Sequence, residues 1–214
     1  MESLLLLYIS KKADIQKRLS EFELAKYGSD NQIFSELAFC ICTPQTRAKS
    51  ANTAIKNLVE TNILFEGNEQ QISEILAKNG VRFHKNKAKY IVQAREIFTK
   101  NNKLKIKSML NTEDVKGLRN WLAKNILGIN MKEASHFLRN IGYGKDLAIL
   151  DRHVLRKLKE LNIIKEIPKH ISKSTYLELE QKLAFLAQKL NISLAELDMT
   201  LWSEHGSLPI AELR

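Results

Sequence analysis

Three prolines and eight glycines in 214 residues leave few places where a helix is forced to stop. Alternating apolar and polar runs bounded by turn pairs are missing as well, so the signature of a sheet is absent and an all-α chain is expected. Cysteine is rarer still. Cys40 and Cys42 stand two apart in FSELAFCIC, a spacing that on a helix turns them roughly 200° from each other and prevents their pairing. Two thiols also fall short of the four that a cysteine-ligated zinc or iron–sulfur cluster takes. Buried structural thiols, no metal and no cofactor are expected. The apolar run of MESLLLLYIS is far too short to span a bilayer, which points to a soluble intracellular protein with no membrane partner. Acidic residues are the last deficit: Asp+Glu 24 against Lys+Arg 34 gives a formal charge of +10 and a pI near 9.5. That balance favours a polyanionic partner, nucleic acid first and an acidic membrane surface second. A lysine-rich source organism would give the same balance.

What is present is ordinary globular material. A hydrophobic fraction of 44% beside 27% charged residues argues against disorder, and the length suffices for one sizeable core or two small lobes sharing a cleft. Helical stripes recur at Phe34, Leu37, Ala38 and Ile41; at Val115, Leu118 and Leu122; at Ala134, Phe137, Leu138 and Ile141; and at Val154, Leu155, Leu158 and Leu161. Further helices are expected over 3–26, 47–62, 71–78, 85–100, 173–190 and 194–204. Turn formers collect in YGSDN, FEGNEQQ, KNNKLK and IGYGKD, none long enough for a free linker.

The segment LGINMKEASHFLRNIGYGKDLAILDRH, residues 127–153, carries the chemistry. It reads as one helix ending near Ile126 and another beginning near Met131, joined by Leu127, Gly128, Ile129 and Asn130. Gly and Asn both tolerate positive φ, so the connection can be tight, with Leu127 and Ile129 packing between the helices. Backbone N–H groups at the start of the second helix then form a phosphate site at Gly128 and Asn130; an ordinary helical corner has the same composition. Lys132 lies opposite the apolar stripe of that helix, on the side of His136 and Arg139. Its place in the first turn, where the macrodipole disfavours a cation and Arg139 adds like charge, singles it out as a candidate Schiff-base nucleophile among the lysines. Asp151 follows the apolar run LAIL and precedes the helix RHVLRKLKEL. It suits an N-cap, and a carboxylate held there by backbone N–H groups stays ionised and can also face a developing positive charge. His136 and His153 have no third ligand at metal-site spacing.

The hairpin, the lysine two residues after it and Asp-x-His at this distance resemble the helix-hairpin-helix DNA glycosylase superfamily. Asn130 stands where that motif usually has its last glycine. KEASHFLRNIGYGKDLAILDRHVLRKL is similar, more narrowly, to the type-2 8-oxoguanine DNA glycosylase/AP lyase family of archaea and some bacteria. The likeness extends to FCICTPQTRA, VRFHKNKAKYIVQARE and LAELDMTLW. It implies two helical lobes flanking a cleft, without the superfamily's frequent iron–sulfur cluster: residues 30–146 bear the hairpin, and 1–29 join 147–214 in the second lobe. Lys132 and Asp151 would meet at the cleft.

The resemblance also implies an activity. A bifunctional, monomeric DNA repair enzyme of the prokaryotic cytoplasm, associated with the nucleoid through DNA, would excise 8-oxoguanine from duplex DNA by Schiff-base chemistry and cleave the abasic strand by β-elimination. Lys132 is the implied nucleophile and Asp151 the stabilising carboxylate. Gln45 resembles a residue inserted into the emptied stack and Phe83 an apolar wedge, though Phe83 also suits core packing. Asp198 and Trp202, four apart on one helix face, match positions lining the base pocket, with core packing the plainer role for Trp202. Arg214 stands at the end of the chain, where the family has a lysine that tells 8-oxoguanine from guanine; here the tail after Trp202 is a few residues longer. Lysines around the hairpin and in KNKAKY are expected at phosphates. A same-fold glycosylase for another damaged base and a non-catalytic hairpin module that only holds backbone are the rival readings.

Overall fold

Short polar residues start six of the helices among the described residues. Ser29 accepts from the N–H of Gln32 while the Gln32 side chain accepts from the Ser29 N–H, a reciprocal box that opens α2 (Asp30–Cys42). Asn68 and Gln71 repeat it for α5 (Glu69–Lys78), and Ser193 and Glu196 for α12 (Leu194–Ser203). Asp114, Asp151 and Ser172 cap α8 (Val115–Asn125), α10 (Arg152–Glu160) and α11 (Lys173–Lys189). The computed structural model describes residues 2–203. Its other helices are α1 (Glu2–Leu24), α3 (Ala48–Glu60), α4 (Ile63–Glu66), α6 (His84–Ile97), α7 (Ile106–Met109) and α9 (Met131–Asn140).

The expected helices lie within two or three residues of these bounds, and the all-α class holds. The short helices α4 and α7 were not foreseen. One departure lies in KNNKLK, where β1 (Thr99–Lys100) pairs antiparallel with β2 (Lys103–Leu104). Asn101 and Asn102 between them take φ of 50° and 57°, the paired left-handed residues that a two-residue hairpin needs.

The described residues divide into two compact units, 27–137 and 2–26 with 138–203. The boundaries drawn from the sequence were 29/30 and 146/147. In the first unit α2 is buried on every side, with Phe34, Leu37 and Ile41 inaccessible beside Phe39 and both free cysteines. That is why its apolar residues do not confine themselves to one stripe. In the second unit Tyr8, Ile15, Phe22 and Met199 form a core between α1 and α12, joined by Leu19 and Ile192. The Tyr8 hydroxyl donates to Glu196 Oε1 at 2.7 Å, and burial with the neighbouring carboxylate pushes its pKa to about 12. No described helix is long and apolar enough to cross a membrane.

Candidate active site

In the first unit α8 ends and α9 begins within five residues. Gly128 takes φ +80°, and a Cβ there would stand 2.7 Å from the Tyr90 ring, so both the turn and the close approach require glycine. Asn130 does not share the left-handed conformation expected of it. It starts α9 instead: its carbonyl accepts from the Ala134 N–H at 2.8 Å and its own N–H donates to Glu133 Oε2 at 3.2 Å. Of the two apolar hairpin residues, Ile129 is buried and Leu127 is half exposed, so only one packs inward and Ile126 takes the other's place.

Lys132 follows in the first turn of α9, partly exposed, with Nζ 2.9 Å from Glu133 Oε1. Glu133 is thus shared between the lysine and the helix start, a link that the spacing Asn130-x-x-Glu133 signals as a capping pattern. On the side of α9 opposite the apolar stripe, Lys132 and His136 are partly exposed, whereas Arg139 is buried, as are Glu133 and Asn140. Arg139 faces Asp198 rather than adding charge beside Lys132.

The second unit gathers Asp151, Asp198 and Trp202. The LAIL run is irregular and buried, and side chains of α11 satisfy its backbone: the Ala148 N–H donates to Glu180 at 2.9 Å and the Tyr176 hydroxyl to the Ala148 carbonyl at 2.6 Å. These contacts deliver Asp151 to the start of α10. There Asp151 Oδ1 accepts from the N–H groups of His153 and Val154, each at 2.8 Å, as its reading as an N-cap requires. Its Oδ2 accepts from Trp202 Nε1 at 3.0 Å, and the His153 ring lies 5.8 Å from the indole. His136 lies against Phe39 in the first unit.

Asp198 is 4% exposed and accepts from Arg139 at 3.0 Å. Burial pushes its carboxyl up to about 7; Arg139 opposes this and the charge of Asp151 adds to it. The folded state therefore holds a proton that the unfolded chain has released, and stability falls as pH rises from about 4 to about 7. Asp198→Asn, permanently neutral, is expected to gain in melting temperature relative to wild type across that window. Thermal melts at several pH values check it; a difference independent of pH would show that Asp198 stays ionised throughout.

Gln45 and Phe83 belong to the first unit, on the turn after α2 and at the start of α6. Both are exposed. Lys87, expected at phosphate with its neighbours in KNKAKY, is instead buried, its Nζ held by Cys42, Pro44 and Thr46. Arg214 lies outside the described residues. An open cavity of about 590 Å³ lined by Asn31, Phe65, Glu66 and Arg95, among others, contains none of the predicted site residues. Among the described residues no cluster of three His, Cys, Asp or Glu side chains could hold a metal.

The family model described as 8-oxoguanine DNA glycosylase matches residues 15–192. The chain is 41% identical over 204 residues to the 8-oxoguanine DNA glycosylase/AP lyase of Fusobacterium nucleatum, covering 94% of this chain and 93% of that protein. A protein of the same name from Methanocaldococcus jannaschii is 42% identical over 188 residues, covering 88% and 87%. The crystal structure of the Methanocaldococcus jannaschii 8-oxoguanine glycosylase/lyase in complex with a 15mer DNA containing 8-oxoguanine matches with a TM-score of 0.88 and 36% identity, over 97% of this chain and all of that one. The 8-oxoguanine DNA glycosylase of Thermotoga maritima matches at 0.86 and 33%, over 98% and 97%.

Proposed function

The chain belongs to the 8-oxoguanine DNA glycosylase family, and from that membership we propose that it excises 8-oxoguanine from duplex DNA and then cuts the strand at the resulting abasic site. The observation that carries the reading is Lys132 in the first turn of the hairpin helix, inside a match that spans 94% of the chain.

An oxidised guanine inside a duplex is out of reach of any side chain, so it is extruded, at a cost of roughly a few kcal/mol recovered through phosphate, stacking and polar contacts. Lys132 gives up a proton and attacks the sugar C1′ as the glycosidic bond breaks, and the base leaves with the bonding pair. Asp151 stabilises the positive charge that develops on the sugar. The nitrogen lone pair then expels O4′, which takes up a proton as the sugar ring opens to a Schiff base; this acidifies the C2′ proton, whose removal expels the oxygen at C3′ and breaks the strand on the 3′ side. One amine serves both steps, and neither draws on a metal or cofactor.

The hairpin at Gly128 and Asn130 holds phosphate through backbone N–H groups other than that of Asn130, which Glu133 engages, while Gln45 and Phe83 enter the opened duplex. Trp202, its N–H engaged by Asp151, offers a ring for stacking against the extruded base, and Asp198 secures that end of α12 through Arg139. Arg214 donates to the base. The protein acts as a monomer on the DNA of a prokaryotic cytoplasm.

Borohydride reduction in the presence of a duplex containing 8-oxoguanine tests the reading. A covalent protein–DNA adduct is expected with the damaged duplex and not with its guanine counterpart. Cleavage without any trapped adduct would exclude the Schiff base, and tight binding without either would leave a hairpin module that only holds backbone.

A further inference from the structure

The ammonium of Lys87 has no part in the chemistry above, yet the fold is built closely around it. Lys87 is 4% exposed, and its Nζ donates to the carbonyls of Cys42 at 2.7 Å and Pro44 at 2.8 Å and to Thr46 Oγ1 at 2.9 Å. Three acceptors meet its three donors, which is what makes a buried ammonium tolerable. All three belong to the end of α2 or the turn after it, the turn that presents Gln45. Thr46 Oγ1 also accepts from the Arg82 N–H at 3.2 Å, so one hydroxyl joins that turn to the segment presenting Phe83.

Gln45 and Phe83 share an unusual backbone. Among the described residues seven other than glycine have positive φ, and five of these are asparagine, which tolerates that region. The other two are Gln45 at 55° and Phe83 at 57°, and both expose their side chains. Such strain costs on the order of 1 kcal/mol or more and persists only where surrounding structure over-determines it. Lys87 and Thr46 supply that determination at one side chain and, through Arg82, at the other. The Arg82 guanidinium lies 5.5 Å from the Phe83 ring centre, a further contact on the same segment.

We propose that Lys87 is a positioning residue for base extrusion, holding Gln45 and Phe83 through Thr46 as a pair directed at the duplex. The proposal rests on the functional reading above, in which those two side chains enter the DNA. It separates two steps: removing 8-oxoguanine from a duplex needs the pair, whereas cutting a strand whose base is already gone does not.

The test compares single-turnover rates on two duplexes of one sequence, one containing 8-oxoguanine opposite cytosine and one a preformed abasic site. Thr46→Val keeps the side-chain shape and the two carbonyl contacts of Lys87 but removes the shared hydroxyl; Lys87→Met removes the ammonium. Both are expected to slow excision by about tenfold or more while leaving abasic-site cleavage within about threefold of wild type. The fluorescence rise of 2-aminopurine beside the lesion should shrink in parallel. Equal slowing on both duplexes, or no slowing on either, would overturn the proposal. If Lys87→Met does not fold, Thr46→Val decides alone. Wild-type protein inactive on both duplexes would instead defeat the functional reading itself.

Discussion

Lys132→Gln is expected to abolish both borohydride trapping and strand cleavage, a loss of at least about 10³-fold, because the amide nitrogen cannot form the covalent bond on which both steps depend. Folding should survive. The lysine is partly exposed and pairs at 2.9 Å with Glu133, a contact that the glutamine amide can in part replace. Glu133 also keeps its bond to the Asn130 N–H, so the start of α9 remains capped. DNA binding should fall only by the contribution of one cation, visible as a shallower dependence of affinity on salt. Persisting adduct formation in this variant would assign the nucleophile to another amine. A variant that binds poorly and melts early would show that Lys132 mainly supports the hairpin.

The residues that local chemistry governs were the legible ones. Asp151 reads as a cap from LDRH, and the structure gives it two backbone N–H groups. Gly128 reads as a turn glycine and has the φ that demands one. Contacts distant in sequence were not legible. Nothing near Arg139 indicates that Asp198, fifty-nine residues away, will hold it, and the helical pattern alone put Arg139 opposite the apolar stripe, beside Lys132. Lys87 is the instructive miss. A charge run such as KNKAKY suggests a solvated face, but Lys87, Ile91, Ala94 and Phe98 recur at helical spacing and all are buried. The lysine on the apolar stripe could have been separated from Lys85 and Lys89, which are exposed. Leu127 and Ile129 show the opposite limit: in a reversing turn neither periodicity applies, so apolar character did not say which side chain packs inward.

Asp151→Asn separates the two duties of that carboxylate. Asparagine caps helices about as well as aspartate, so the contacts from the His153 and Val154 N–H groups can remain. The second oxygen is different. It accepts from Trp202 Nε1 at 3.0 Å, and a carboxamide that caps through its oxygen presents an NH₂ group to that indole, setting donor against donor. The negative charge at the N-terminus of α10 is also lost, worth about 0.3–1 kcal/mol. A small drop in melting temperature is therefore expected, together with a fall of about 10²–10³-fold in the single-turnover excision rate from the missing electrostatic stabilisation. A second consequence follows from the same charge. Asp151 is one of the causes that raise the Asp198 carboxyl to about 7, so its removal should lower that value and move the pH window of the stability loss toward acid. Trp202→Phe provides the control, since it deletes the indole N–H while leaving Asp151 charged. If the two variants lose activity equally, the indole's hold on Asp151 matters as much as the charge; if Asp151→Asn retains wild-type rates, the carboxylate is a cap and nothing more.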